Sequence, residues 1–295
     1  MFEGLSVAMA TPFRNGNLDH AAVDRLIDHL VTGGVHGLVP AGCTGEAAAL
    51  DLAEREWLVR RCVERKGPGV FVLAGTGTNI TRSTCDLTRR AEEWGADGAL
   101  VITPYYNKPT QAGLLRHYEE VARSSRLPIV LYNVPGRTSV KLEPETIRRL
   151  AEIPNIVAVK EACGSLDQVS ELCATSTITV LSGDDSLTLP MLAAGATGVV
   201  SVLGNVFPAP LRRMLDAFAA GDIALARRIH LGLFPLFKGL FLESNPGPLK
   251  RALAVRGFIA EEFRLPLVPV GEKTAAELGR ILETTDRFVA SLGTA

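Results

Sequence analysis

Short, unbroken apolar runs recur along the chain. Between them lie longer segments in which apolar residues return with helical spacing. The runs are Ser6–Thr11, Gly37–Ala41, Val70–Gly75, Ala99–Thr103, Ile129–Asn133, Ile156–Lys160, Thr179–Ser182 and Val199–Leu203. A run that is apolar at consecutive rather than alternate positions predicts a parallel strand covered on both faces. The intervening segments predict helices with one apolar stripe. In Asp19–Thr32 that stripe is Val23, Leu26, Ile27 and Leu30, and Asp19 stands where a cap belongs. Further helix starts are expected near Asp51, Asn79, Gln111, Glu143, Ser165 and Ser186.

Eight strands alternating with helices predict an α/β fold closed as a (β/α)8 TIM barrel. An open doubly wound sheet would carry a GxGxxG turn after its first strand, and the turn Ala10–Asn15 has no glycine. After Leu203 the strand pattern stops. Helices are expected over Ala209–Ala219, Ile223–Phe241, Pro248–Val255 and Glu272–Ser291. This divides the chain into a barrel core over residues 1–207, then a last barrel helix and C-terminal helical extension over residues 208–295. The segment LGLFPLFKGLFL (231–242) is apolar enough to pack on the barrel or on a second subunit.

Composition removes several function classes. Lys and Arg total 31 against 32 Asp and Glu, with no basic run, so neither nucleic acid nor an anionic membrane is an expected partner. No apolar stretch nears the ~18 residues of a membrane span. The opening MFEGLSVAMATPF lacks the charge and apolar pattern of a signal peptide, and a cytoplasmic protein is expected. The five cysteines (Cys43, Cys62, Cys85, Cys163, Cys173) form no CxxC pair and the five histidines no HxxxH pair. Reduced thiols and no metal site are expected.

In a barrel of this kind the active site lies at the C-terminal strand ends. Polar residues there are Thr11, the turn Gly42–Cys43–Thr44–Gly45–Glu46, Thr76, Thr103–Tyr106, Tyr132–Asn133, Lys160–Glu161 and Ser182–Gly183–Asp184–Asp185. Lys160 closes the apolar run Ile156–Val159. Position alone leaves two readings: a lysine snorkelling to water, or a buried amine whose lowered pKa makes it a nucleophile. Tyr132 ends the preceding strand on the same rim, as a core tyrosine or as a proton shuttle for an imine-forming lysine. The glycines of turn 42–46 allow close backbone approach, and successive N–H groups can cradle a carboxylate. No Walker-type lysine follows that turn, so a nucleotide loop is disfavoured.

The motifs GCTGE (42–46), TPYYNKP (103–109), YNVPGRT (132–138), VAVKEA (157–162), LSGDD (181–185) and GVVSV (198–202) carry a family resemblance. From end to end the chain resembles the dihydrodipicolinate synthase/N-acetylneuraminate lyase family of Schiff-base-forming class I enzymes. TPYYNKP and YNVPGRT resemble its synthase branch rather than the sugar-acid lyases. The resemblance implies condensation of pyruvate with L-aspartate 4-semialdehyde to 4-hydroxy-tetrahydrodipicolinate, on the route to diaminopimelate and lysine. It implies a covalent imine at Lys160 and no separate cofactor. Tyr132 would shuttle protons, and Thr44 with its turn would hold the pyruvate carboxylate. Arg137 would bind the semialdehyde carboxylate, the backbone at Val200 would line the pyruvate pocket, and Gly183 would belong to the substrate-binding set. Tyr106 would cross a subunit interface into a neighbouring site, which implies a homodimer or homotetramer.

Two departures qualify these implications. The family turn carries two successive hydroxyl residues, and here the first is Cys43, a weaker relay between Tyr132 and Tyr106. Members strongly inhibited by lysine carry a glutamate and histidines where this chain has Ser83, Leu52 and Arg55, while Tyr105 and Asn79 remain. Weak or absent lysine inhibition is therefore expected. Alternative readings are a class I aldolase or dehydratase on another 2-oxo acid (N-acetylneuraminate, 2-keto-3-deoxygluconate or a hydroxyproline derivative) and a catalytically inactive ligand-binding relative.

Overall fold

A computed structural model describes residues 1–293. Eight parallel strands close into a barrel: Gly4–Ala8, Gly37–Val39, Phe71–Gly75, Gly98–Ile102, Ile129–Asn133, Ile156–Glu161, Thr179–Ser182 and Gly198–Ser201. They follow chain order around the ring, and the eighth pairs with the first through Gly4↔Gly198 to Val7↔Ser201. A helix follows each strand, as a parallel barrel requires to return the chain to its starting end.

The apolar runs mark the strands because both faces are covered. One layer of side chains fills the barrel, including Val39, Leu73, Leu100, Val130, Ala158, Leu181 and Val200. The other layer joins the strands to the surrounding helices. Helix His20–Thr32 buries Ala22, Val23, Leu26, Ile27 and Leu30, and the Asp19 carboxylate accepts from Ala22 N to cap it. Asp51 and Glu54 form a reciprocal capping box on helix Leu52–Arg65. The third of the expected starts moves slightly: helix Thr81–Glu93 has Ile80 at its cap position.

Other differences from the sequence expectation have local causes. The first strand ends at Ala8 rather than Thr11, because the chain turns off the ladder there. Ala10 N donates to Asn205 Oδ1 at 3.1 Å, and Thr11 Oγ1 donates to Gly45 O at 2.7 Å. Met9 and Ala10 stay buried after the ladder ends, so the apolar run overshoots the strand. A small hairpin, Phe13–Arg14 with Asn17–Leu18, and a short helix, Pro135–Thr138, are too brief to leave a periodic signal.

The C-terminal extension consists of helices Pro208–Ala219, Ile223–Gly239, Gly247–Val255 and Glu272–Ser291. Its Leu211, Ile229, Leu249 and Leu278 share one core with barrel residues such as Val7 and Leu38. It also reaches over the top of the barrel. The Glu262 carboxylate accepts from Asn15 N of the hairpin at 2.8 Å, and Arg264 pairs with Glu54. Among the described residues no helix is long and apolar enough to cross a membrane, and no cluster of His, Cys, Asp or Glu could hold a metal ion.

Candidate active site

Inward-facing residues climb each strand two positions at a time. On the fifth strand Val130 is followed by Tyr132, and on the sixth Ala158 is followed by Lys160. Tyr132 and Lys160 are register partners. They stand side by side where the apolar filling of the barrel ends. The Lys160 Nζ lies 4.1 Å from the centre of the Tyr132 ring. The residue is 4% exposed, and among the described residues its ammonium has neither a hydrogen bond nor a carboxylate partner. Burial is the main influence and lowers its pKa to about 8, while the charges of Cys43 and Asp185 oppose the shift and Arg137 adds to it. Burial also pushes the Tyr132 phenol well above its ordinary range, reinforced by Cys43 and opposed by Arg137. A neutral, protonated phenol beside an amine poised to lose its proton is an acid–base pair.

Asp185, whose charge acts on Lys160 from the turn after the seventh strand, is occupied elsewhere. It accepts from Ser201 Oγ, from Val202 N at 2.9 Å and from Leu203 N at 2.8 Å. It therefore ties the seventh strand's turn to the end of the eighth and forms no ion pair with Lys160. Gly183 leaves the lysine its space, since a Cβ there would stand 3.1 Å from Lys160 Cε and 2.8 Å from Ala162 Cβ.

On the outward face of the same strand ends a second polar group is locked in place. Glu161 is 1% exposed and accepts from Asn133 Nδ2 at 3.0 Å, Gln168 Nε2 at 2.9 Å and Cys163 N at 2.9 Å. Burial raises its pKa against these hydrogen bonds. The network joins the fifth and sixth strand ends behind Tyr132 and Lys160.

The turn after the second strand is partly consumed by its own folding. Gly45 N and Ala47 N both donate to Gly42 O, and Glu46 N donates to Cys43 O. Among the described residues, the N–H groups of Cys43 and Thr44 have no acceptor. The carboxylate cradle expected over the whole turn is thus narrowed to those two amides, with the Thr44 hydroxyl beside them. Glu46, at φ 52°, is clamped from behind by Lys250 at 2.6 Å.

A cavity of about 680 Å³ opens over this rim, lined by Lys160, Tyr132, Cys43, Thr44, Gly183 and Arg137. The sequence singled out all six, and the fold brings them together. Val200 is different. It is 1% exposed within the barrel filling, and Val202, two residues beyond it, is the lining residue from that strand end. Tyr106 does not reach the cavity of its own chain. It is 89% exposed, and its backbone holds the left-handed value φ 75°.

Sequence reasoning missed Asn245, Lys250 and the lining role of Arg55. Arg55 lines the cavity and donates to Gly75 O at 3.4 Å and to Ala47 O, with no carboxylate partner among the described residues. Burial lowers its pKa. Asn245 precedes a proline, a pattern that reads simply as a turn. Lys250 sits beside Arg251 on a helix, and nothing in that pair tells which one points inward.

Comparison with known proteins converges on the same reading. The model of the dihydrodipicolinate synthetase family matches residues 1–285. The 4-hydroxy-tetrahydrodipicolinate synthase of Geobacter sulfurreducens is 48% identical over 285 residues, 96% of this chain and 98% of its own. The solved 4-hydroxy-tetrahydrodipicolinate synthase from the methanotroph Methylacidiphilum fumariolicum SolV gives a TM-score of 0.96 at 42% identity, covering 99% of this chain and 98% of that one. Dihydrodipicolinate synthase from Aquifex aeolicus gives 0.94 at 43% identity, covering 97% and 98%. With a closed barrel, an unpaired strand-end lysine and likeness along nearly its whole length, the chain belongs to the dihydrodipicolinate synthetase family.

Proposed function

We propose that this chain condenses pyruvate with L-aspartate 4-semialdehyde to give 4-hydroxy-tetrahydrodipicolinate, through an imine at Lys160. The observation that carries the reading is the buried, unpaired Lys160 amine against Tyr132, with the free amides of Cys43 and Thr44 on the same cavity.

The neutral Lys160 amine attacks the pyruvate ketone and gives a carbinolamine. Tyr132 passes a proton to the departing hydroxyl, which leaves as water, and the imine forms. Loss of a methyl proton gives an enamine, whose carbon attacks the semialdehyde aldehyde and forms the new C–C bond as the aldehyde oxygen takes up a proton. The substrate's own amino group then attacks the imine carbon and displaces Lys160. The ring closes and the free amine is regenerated. The pyruvate carboxylate sits on the Cys43 and Thr44 amides and the Thr44 hydroxyl, and the Arg137 guanidinium takes the second carboxylate. A cation at that position suits a short, dicarboxylate-like adduct better than a polyhydroxylated sugar acid.

Tyr106 belongs to this reading through a second copy of the chain. A large exposed aromatic in a left-handed backbone is held there for a purpose other than the fold of its own subunit. Insertion beside a neighbour's Cys43 and Arg137 is the role we assign to it, and a homodimer or homotetramer follows. Arg55 supports weak regulation by lysine, since an unpaired guanidinium repels an ammonium ligand.

The test is a coupled assay of pyruvate with aspartate semialdehyde, against pyruvate with sugar-derived aldehydes, each with and without lysine. Turnover restricted to the semialdehyde and unaffected by low-millimolar lysine is expected. Faster turnover with a sugar aldehyde would transfer the assignment to the lyase branch, and strong inhibition would remove the argument from Arg55.

A further inference from the structure

Asn245 lies between helices Ile223–Gly239 and Gly247–Val255 of the extension, is 5% exposed, and lines the cavity. Two of its groups reach the barrel. The side-chain Nδ2 donates to Thr44 Oγ1 at 3.0 Å, and the backbone carbonyl accepts from Arg137 Nη2 at 3.1 Å. One residue thus touches both groups that the proposed function assigns to substrate carboxylates. Its third polar atom, Oδ1, is buried and has no hydrogen-bond partner among the described residues. An unpaired buried acceptor is destabilising, so the amide is a poor choice for fold stability alone.

The chemistry of a hydroxyl says what the amide does. Thr44 has one O–H to donate and two lone pairs to accept with. An Nδ2–H on that oxygen fills one lone pair and directs the single proton elsewhere. Since Thr44 lines the cavity beside two free amides, the direction left to it is toward a bound carboxylate. The same stretch of the extension fixes the turn from behind, through Lys250 to Glu46 at 2.6 Å and Arg264 N to Glu46 Oε2 at 3.3 Å.

We propose that Asn245 is a positioning residue, delivered by the C-terminal extension, that aims the Thr44 hydroxyl at the pyruvate carboxylate while its carbonyl orients Arg137 for the second substrate. This rests on the proposed function, and the experiment separates the two. The unaltered protein is first assayed for borohydride-trapped pyruvate and for turnover with the semialdehyde. Failure there removes the proposed function itself, whatever Asn245 does.

With that in place, Asn245→Ala removes the side-chain contact and keeps the carbonyl. The pyruvate concentration giving half-maximal trapping rises about tenfold, while kcat and the KM for the semialdehyde stay within about threefold. In a Thr44→Val background the same substitution adds nothing to the pyruvate effect. Asn245→Asp keeps the shape and serves if the alanine variant folds poorly. It places an acceptor against Thr44 and a like charge near the pyruvate carboxylate, so its loss exceeds that of alanine. Unchanged half-saturation in both variants overturns the proposal. So does an equal shift for both substrates, which marks a merely displaced loop, or a full additional loss in the Thr44→Val background.

Discussion

Lys160 and Lys250 are both buried, 4% and 0% exposed, and both lie against aromatic rings. Lys250 sits 4.4 Å from the centre of Phe13 and 4.8 Å from that of Phe263, with its ammonium 2.6 Å from the Glu46 carboxylate. Lys160 sits 4.1 Å from the centre of Tyr132 and has no carboxylate partner among the described residues. Burial lowers the pKa of each. At Lys250 Glu46 opposes that through both charge and a direct hydrogen bond, whereas at Lys160 the opposing Cys43 and Asp185 act through charge alone. Burial by itself therefore does not make a nucleophile. A buried ammonium with a partner is a clamp, and one without a partner is ready to give up its proton.

The comparison breaks most sharply if both lysines are replaced by methionine, which keeps length and removes charge. Lys160→Met lowers turnover by roughly 10⁴-fold or more, since Lys238, the other lysine on the cavity, is an exposed residue of helix Ile223–Gly239 and not a buried strand-end amine against Tyr132. Its effect on stability has the opposite sign. With a folded pKa of about 8 against the ordinary 10.5, the folded state carries the penalty of a buried ammonium in full below pH 8. As pH rises from about 8 to 10.5 the folded lysine has lost its proton and the unfolded one has not, so the penalty fades. Lys160→Met stabilises the chain by roughly 3 kcal/mol at pH 7, with the gain shrinking toward pH 10, in denaturant titrations across that range. A destabilised variant at pH 7 would mean that Lys160 has a hidden partner.

Lys250→Met leaves Glu46 buried without its cation and destabilises by about 3–5 kcal/mol in the same titrations. Adding Glu46→Gln recovers most of that loss. Equal losses in the single and double variants would show that Lys250 acts through packing on Phe13 and Phe263 instead. The pH profile sharpens the contrast further. Imine formation with pyruvate, followed by stopped-flow trapping, rises roughly tenfold per pH unit up to about pH 8 and then levels, because the neutral fraction of Lys160 sets it. A profile flat from pH 6 to 9 would place the controlling group elsewhere.

The smallest expected effect concerns the relay. Cys43 lines the cavity, and its thiol replaces the hydroxyl that the family resemblance leads one to expect. Cys43→Thr raises turnover several-fold, about the worth of one better hydrogen bond. Unchanged turnover would show that the proton path does not run through this position.

The two lysines also show what could be read without a structure. Lys160 was legible because a parallel strand is apolar at every position, so a charge at its end stands out against Ile156–Val159. The barrel was legible for the same reason, strand by strand. Lys250 was not, because a helix is expected to carry charge and only the fold reveals which charge faces inward. Its partner lies 204 residues away. Asn245 was hidden likewise, since its meaning comes from two contacts across the chain rather than from its neighbours. The exact height of each residue on the rim was also out of reach, and Val200 and Val202 differ in just that respect.

Trapping with borohydride tests the central claim most directly. The protein is incubated with pyruvate, reduced, digested and mapped by mass spectrometry. The account predicts a reduced pyruvate adduct on the peptide containing Lys160 and none on that containing Lys250. No adduct, or one on any lysine other than Lys160, would contradict it.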